Sequence, residues 1–144
     1  MKTDDAVVRD FLDRARVARL ATRSPKGAAA LAPLWFVQVD GRLYFGTGRD
    51  TVAARNAAAN PDVVVLLDDG ERGPVLRLRG RATVRPGAPP AAVTARFGRK
   101  YYLGGWRSEL SHARSWFLRT RYYGQSAPAT IVVEPGEAEL LRRP

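Results

Sequence analysis

The order of apolar and polar positions along this chain reads mostly as strands, with short helical stretches between them. Val17 to Arg23 alternates with a period of two, and Ala28 to Val39 returns as a long apolar strand after the turn Ser24-Pro25-Lys26-Gly27. Asp40-Gly41 is a tight hairpin signal, and Arg42 to Gly46 is the next strand. Val63 to Asp68 is so continuously β-branched and apolar that it reads as a central strand buried on both sides. Val75 to Val84 alternates again, with Leu76 and Leu78 on one face and Arg77, Arg79 and Arg81 on the other. Ala129 to Glu134, a turn at Pro135-Gly136 and a short strand Ala138 to Leu141 complete the set.

The helical period is confined to short segments. Val8, Phe11, Leu12 and Ala15 recur at helical spacing behind the capping-type residues Thr3, Asp4 and Asp5. Asp50 sits where an N-cap belongs before the Ala-rich stretch Thr51 to Ala59, which Asn60-Pro61 ends. Pro89 and Pro90 open a helix over 91–104, Gly104-Gly105 breaks it, and Arg107 to Thr120 forms another. There is no repeat and no low-complexity segment. The pattern predicts one domain over residues 1–144, mainly β with flanking helices. Six or seven mostly antiparallel strands form a barrel with helices across its openings.

Composition narrows the classes. A chain of 144 residues that is 45% hydrophobic and 26% charged is long enough to bury roughly two-thirds of its unfolded surface. The longest apolar run, Ala28 to Val37, is half a membrane span, and the charged first residues show no signal peptide. With no cysteine, disulfides, thiol catalysis and thiolate metal sites are excluded. A cytoplasmic protein is the expectation. The net charge of +10 is uneven: residues 1–71 hold ten basic and ten acidic side chains, so the second half carries the whole excess. That asymmetry favours an anionic partner, whether nucleic acid, a phosphorylated cofactor or a polycarboxylate. The competing explanation is that 21 of the 24 basic residues are arginine, as a GC-rich genome produces.

Catalytic side chains are few. His112 is the only histidine, so neither a metal site of the usual composition nor a Ser-His-acid arrangement is suggested. Asp68-Asp69 reads as a pair of solvated turn carboxylates. If the chain is an enzyme, a cofactor supplies the reactive atom. The better lead is the strand from Ala28 to Val39. Pro33 lacks an N–H and implies an edge or a bulge, the alanines remove bulk, and Trp35 and Phe36 offer flat apolar surface for a planar heteroaromatic ring. The alternative is that Trp35 and Phe36 fill a barrel or dimer interface. Thr47-Gly48-Arg49-Asp50-Thr51 then opens a helix whose free N–H groups suit a phosphate. The late aromatics interleave with arginines, and Trp106, Leu110, Ala113 and Phe117 share one helix face, which favours packing over base stacking.

Taken together, Ala21-Thr22, Pro-Leu-Trp-Phe-Val (33–37), Gly41, Leu-Tyr-Phe-Gly-Thr (43–47), Ala-Arg-Asn (54–56), Asn-Pro (60–61) and Val63–Leu67 resemble the flavin-binding split β-barrel family. That family is related to pyridoxamine 5′-phosphate oxidase and includes oxidoreductases that use the deazaflavin coenzyme F-420. The short length and the closing Val-Val-Glu-Pro (132–135) are similar to the deazaflavin branch.

The resemblance implies a homodimer with two equivalent sites between subunits, and hydride transfer between F-420 (alternatively FMN) and a small unsaturated or heteroaromatic substrate. It places Pro33, Leu34, Trp35 and Phe36 along the ring, largely through main chain, and Gly46 and Thr47 along the ribityl-phosphate arm. The family also holds the phosphate with basic residues at the start of the next helix, most characteristically a lysine eight residues before the proline. Here that position is Ala53, and the one two before it is Thr51. Losing a charge-assisted partner costs a phosphate ~1.5–3 kcal/mol. Arg49, Arg55, Arg77 and Arg79 are the candidates to replace it, and the stretch 72–108, free of acids, suits the acidic tail of a deazaflavin. Water or Tyr101/Tyr102 would serve as proton donor. A non-catalytic flavin carrier and a nucleic-acid-binding protein are the other readings, the second less favoured.

Overall fold

The computed structural model describes residues 5–15, 17–68, 74–103 and 127–141. Helix α1 (Ala6–Arg14) leads into β1 (Ala18–Arg23), β2 (Ala29–Leu34), β3 (Phe36–Val39) and β4 (Arg42–Gly48). Helix α2 (Val52–Ala59), β5 (Asp62–Asp68) and β6 (Pro74–Pro86) follow, then α3 (Ala91–Phe97), a π-helical turn (Gly98–Leu103) and β7 (Pro128–Leu140). The strands make one antiparallel sheet in the order β2-β1-β5-β6-β7-β4-β3. Its two edge strands, β2 and β3, are consecutive in the chain and separated only by Trp35. The sheet therefore curls until its edges nearly meet, a half-barrel with its seam at Trp35. The expected long strand from Ala28 to Val39 is broken there because its two halves belong to opposite edges.

The alternation read from the sequence becomes an inside and an outside. Leu20, Leu34, Phe36, Phe45, Val65, Leu67, Leu76, Leu78 and Ile131 fill the interior together with Val8, Phe11 and Leu12 of α1 and Ala53 and Ala57 of α2. Fully burying such a side chain contributes about 1.5–3 kcal/mol. A second apolar cluster lies on the other face of β3, β4 and β7, where Val37, Tyr44 and Val132 meet Val93 of α3 and Tyr101. The central strand β5 is buried on one face only, since Val64 and Leu66 on its outer side stay half-buried.

Two local expectations change. Pro135-Gly136 is not a turn: β7 runs straight through it, and the register slips between Arg79 and Gly80, a β-bulge. At that point the strands touch so closely that a Cβ on Gly80 would lie 2.7 Å from the Glu134 carbonyl oxygen. The N-cap of α2 is Thr51 rather than Asp50, its hydroxyl accepting from the Ala54 N–H at 3.2 Å. Asp40 and Gly41 both have positive φ, 51° and 76°, the type I′ turn that a two-residue hairpin favours. The expected helix over 107–120, with His112, lies outside the described residues.

Candidate functional site

The seam brings together much of what the sequence singled out. Leu34 ends β2 with its side chain in the core, while Pro33 is exposed beside Arg19. Trp35 is half-buried and Phe36 is fully buried, its ring against Phe45 at 5.9 Å. The outward face of Trp35 is not bare. The Tyr101 ring lies parallel to it, 4.5 Å away with an interplanar angle of 5°. The Tyr101 hydroxyl accepts from the Phe36 N–H at 3.0 Å and donates to the Phe36 carbonyl at 2.8 Å. Lys100 Nζ donates to the same carbonyl at 3.1 Å and to Leu12 O at 3.2 Å, lying 3.9 Å from the centre of the Phe36 ring.

Tyr101 thus has a different place from the proton donor considered above. It is 6% exposed, and its single proton is directed at main chain. Lys100 was visible only as one of many basic residues. No periodicity signals that a π-turn would carry it back to an edge strand 64 residues earlier.

The residues expected along a ribityl-phosphate arm lie at and after the end of β4. Gly46 is exposed and pairs with Thr130, and Thr47 beside it is half-buried. The Thr51 hydroxyl donates to Gly48 O at 2.9 Å, so in the 3.0 Å contact between Thr47 and Thr51 it is Thr47 that donates. Thr51 is committed to capping. Ala53 points into the core at 5% exposure. Two residues further on, Arg55 is exposed, as its different helical face requires. It lines a cavity of about 450 Å³ with Ser24, Ala28, Ala29, Ala30 and Val52. The small residues of early β2 and the nearest free guanidinium of α2 therefore share one recess. Arg49 is exposed in the turn before α2, its N–H donating to Ala127 O at 2.7 Å.

Asn56 and Asn60, which carried part of the resemblance, fasten α2 to the first strand. Asn56 donates to the buried Thr22 hydroxyl at 3.2 Å and Asn60 to Ser24 O at 2.8 Å.

Arg77 and Arg79 are not brought to this recess. They stand on the outer face of β6, where register sets Arg77 opposite Glu139, Arg79 opposite Glu137 and Arg81 opposite Glu134. Arg77 and Glu139 form a direct ion pair, and Arg42 reaches Glu134 at 3.2 Å. The stretch that looks free of acids in sequence is thus faced by the glutamates of β7, which weakens its suitability for an acidic tail. Among the described residues no cluster of three or more His, Cys, Asp or Glu could hold a metal, and no helix is long and apolar enough to cross a membrane.

A seven-stranded half-barrel with this seam defines the fold of a known class. The family described as pyridoxamine 5′-phosphate oxidase matches residues 5–132, and the chain belongs to it. Among solved structures, an F-420 reductase is 22% identical, with a TM-score of 0.63 over 91% of this chain and 94% of its own. A pyridoxamine 5′-phosphate oxidase-like protein from Listeria innocua is 16% identical (TM-score 0.60, 93% and 94% covered). The heme storage protein HutZ from Vibrio cholerae is also 16% identical, with a TM-score of 0.66 over 97% and 95%. These likenesses show a shared fold. No curated protein matches the chain.

Proposed function

We propose that this chain is a homodimeric oxidoreductase that binds a deazaflavin of the F-420 type and passes hydride between it and a small unsaturated or heteroaromatic substrate. The observation that carries the reading is the recess between the start of β2 and α2. Bulk is absent at Ala28 to Ala30, a free guanidinium stands at Arg55, and β2 runs from the recess to Trp35 beyond its far end. Those residues fit a flat ring with an anionic arm. Ala28–Trp35 would hold the ring, Thr47 the ribityl hydroxyls and Arg55, with Arg49, the phosphate. When bound, the cofactor supplies the hydride chemistry, while the chain supplies orientation, charge and exclusion of water.

A homodimer suits the outer sheet face. Leu31 is 60% exposed, and register sets it beside Ala21 and Val64, an apolar row running into the Arg79–Glu137 pair. A second copy laid on that face would bury the row. One observation favours a carrier without turnover, namely the alanine at 53 where the resemblance expects a lysine, since phosphate then rests on arginines alone. The test is a fluorescence titration with F-420 and with FMN, followed by oxidation of the reduced cofactor in the presence of heteroaromatic acceptors. Micromolar binding with acceptor-dependent oxidation supports an enzyme; binding without turnover supports the carrier.

A further inference from the structure

We infer that Tyr101 and Lys100 are positioning residues of the ring site, a latch that fixes the Trp35–Phe36 segment at the open edge of the sheet. The inference rests on the cofactor reading proposed above.

Because β3 is the last strand of the sheet, its outer edge has no neighbouring strand among the described residues to satisfy its main chain. Phe36 begins that edge, directly after the seam. Its N–H and C=O are both taken by one hydroxyl, that of Tyr101, and the carbonyl receives the Lys100 ammonium as well. The Tyr101 ring meanwhile holds the Trp35 indole flat. Two successive residues of the π-turn therefore set the position of one peptide and the plane of one ring. Lys100 also satisfies Leu12 O in the last turn of α1, where helix carbonyls lack partners. The latch thus ties α1, α3 and the seam into one unit. A π-turn brings consecutive side chains into register differently from an α-helix, and such turns recur at functional sites.

The consequence is specific. A cofactor ring held by the main chain just before Phe36 depends on Tyr101 and Lys100 without needing to touch them. Since the Phe36 edge is already satisfied, main-chain contacts to the ring come from residues before it.

The experiment compares Tyr101→Phe and Lys100→Met with Val75→Ala, a truncation of a fully buried residue of β6 that takes no part in the hydrogen bonds of the latch. F-420 and FMN affinities, thermal midpoints and the exchange rate of the Phe36 amide are measured for all four proteins. The expected result is that Tyr101→Phe weakens cofactor binding about tenfold or more and accelerates Phe36 exchange, whereas Val75→Ala lowers the midpoint at unchanged affinity. Unchanged or tighter binding by Tyr101→Phe overturns the positioning role. If the wild type binds neither cofactor, the function proposed above fails. In that case acceleration at Phe36 confined to the latch variants still upholds the latch, and its absence overturns it.

Discussion

Gly80 of β6 lies against Glu134 of β7 so closely that a Cβ would meet the Glu134 carbonyl oxygen at 2.7 Å and Val133 Cγ1 at 2.7 Å. The contact sits at the bulge that carries β7 past Pro135-Gly136, so it holds together the longest strand pairing in the sheet. Both obstacles are rigid, one backbone and the other β-branched. Gly80→Ala is expected to destabilise the fold by about 1–3 kcal/mol, the usual cost of overpacking. Urea denaturation at equilibrium checks it.

The Arg77–Glu139 pair is partly exposed, with side chains 37% and 58% accessible. Its coupling in a double-mutant cycle is expected to be ~0.2–1 kcal/mol and to shrink with salt. The larger effect is on partners. Removing Glu134, Glu137 and Glu139 together uncovers the arginine stripe, and binding to heparin is expected to rise well above that of the wild type.

Leu31→Lys places a charge in the apolar row of β1, β2 and β5. If a second copy covers that row, the loss of about 1.5–3 kcal/mol of buried leucine in each of the two copies raises the dimer dissociation constant about a hundredfold to ten-thousandfold. Sedimentation equilibrium measures it, and an unchanged mass distribution would remove this face from the interface.

Arg55→Ala is expected to weaken FMN binding by about tenfold to a hundredfold, the worth of a charge-assisted hydrogen bond, while riboflavin, which lacks the phosphate, binds as before. Parallel titrations with the two ligands separate a phosphate contact from a general loss of the recess.

Much of the fold was legible because it depends on local periodicity. The strands, the Asp40-Gly41 hairpin and the end of α2 at Asn60-Pro61 follow from patterns a few residues long. Features set by pairing over distance were not. The slip at Gly80 turns an apparent turn at Pro135-Gly136 into continuous strand, and the glutamates facing Arg77, Arg79 and Arg81 lie more than fifty residues away. The site divides along the same line. Trp35, Phe36 and Arg55 stand out in the sequence by type and position, whereas Lys100 and the double hydrogen bond of Tyr101 depend on a π-turn that no hydrophobic period announces. Thr51 displaced Asp50 as the cap because its hydroxyl also meets Thr47 and Gly48.

The proposed function requires that two copies of this chain together hold two deazaflavins. Native mass spectrometry of protein incubated with F-420 tests it most directly. A dimer carrying two cofactors is the predicted species, reduced in occupancy by Arg55→Ala. A bare monomer, or a dimer that retains no cofactor at concentrations well above micromolar, would contradict it.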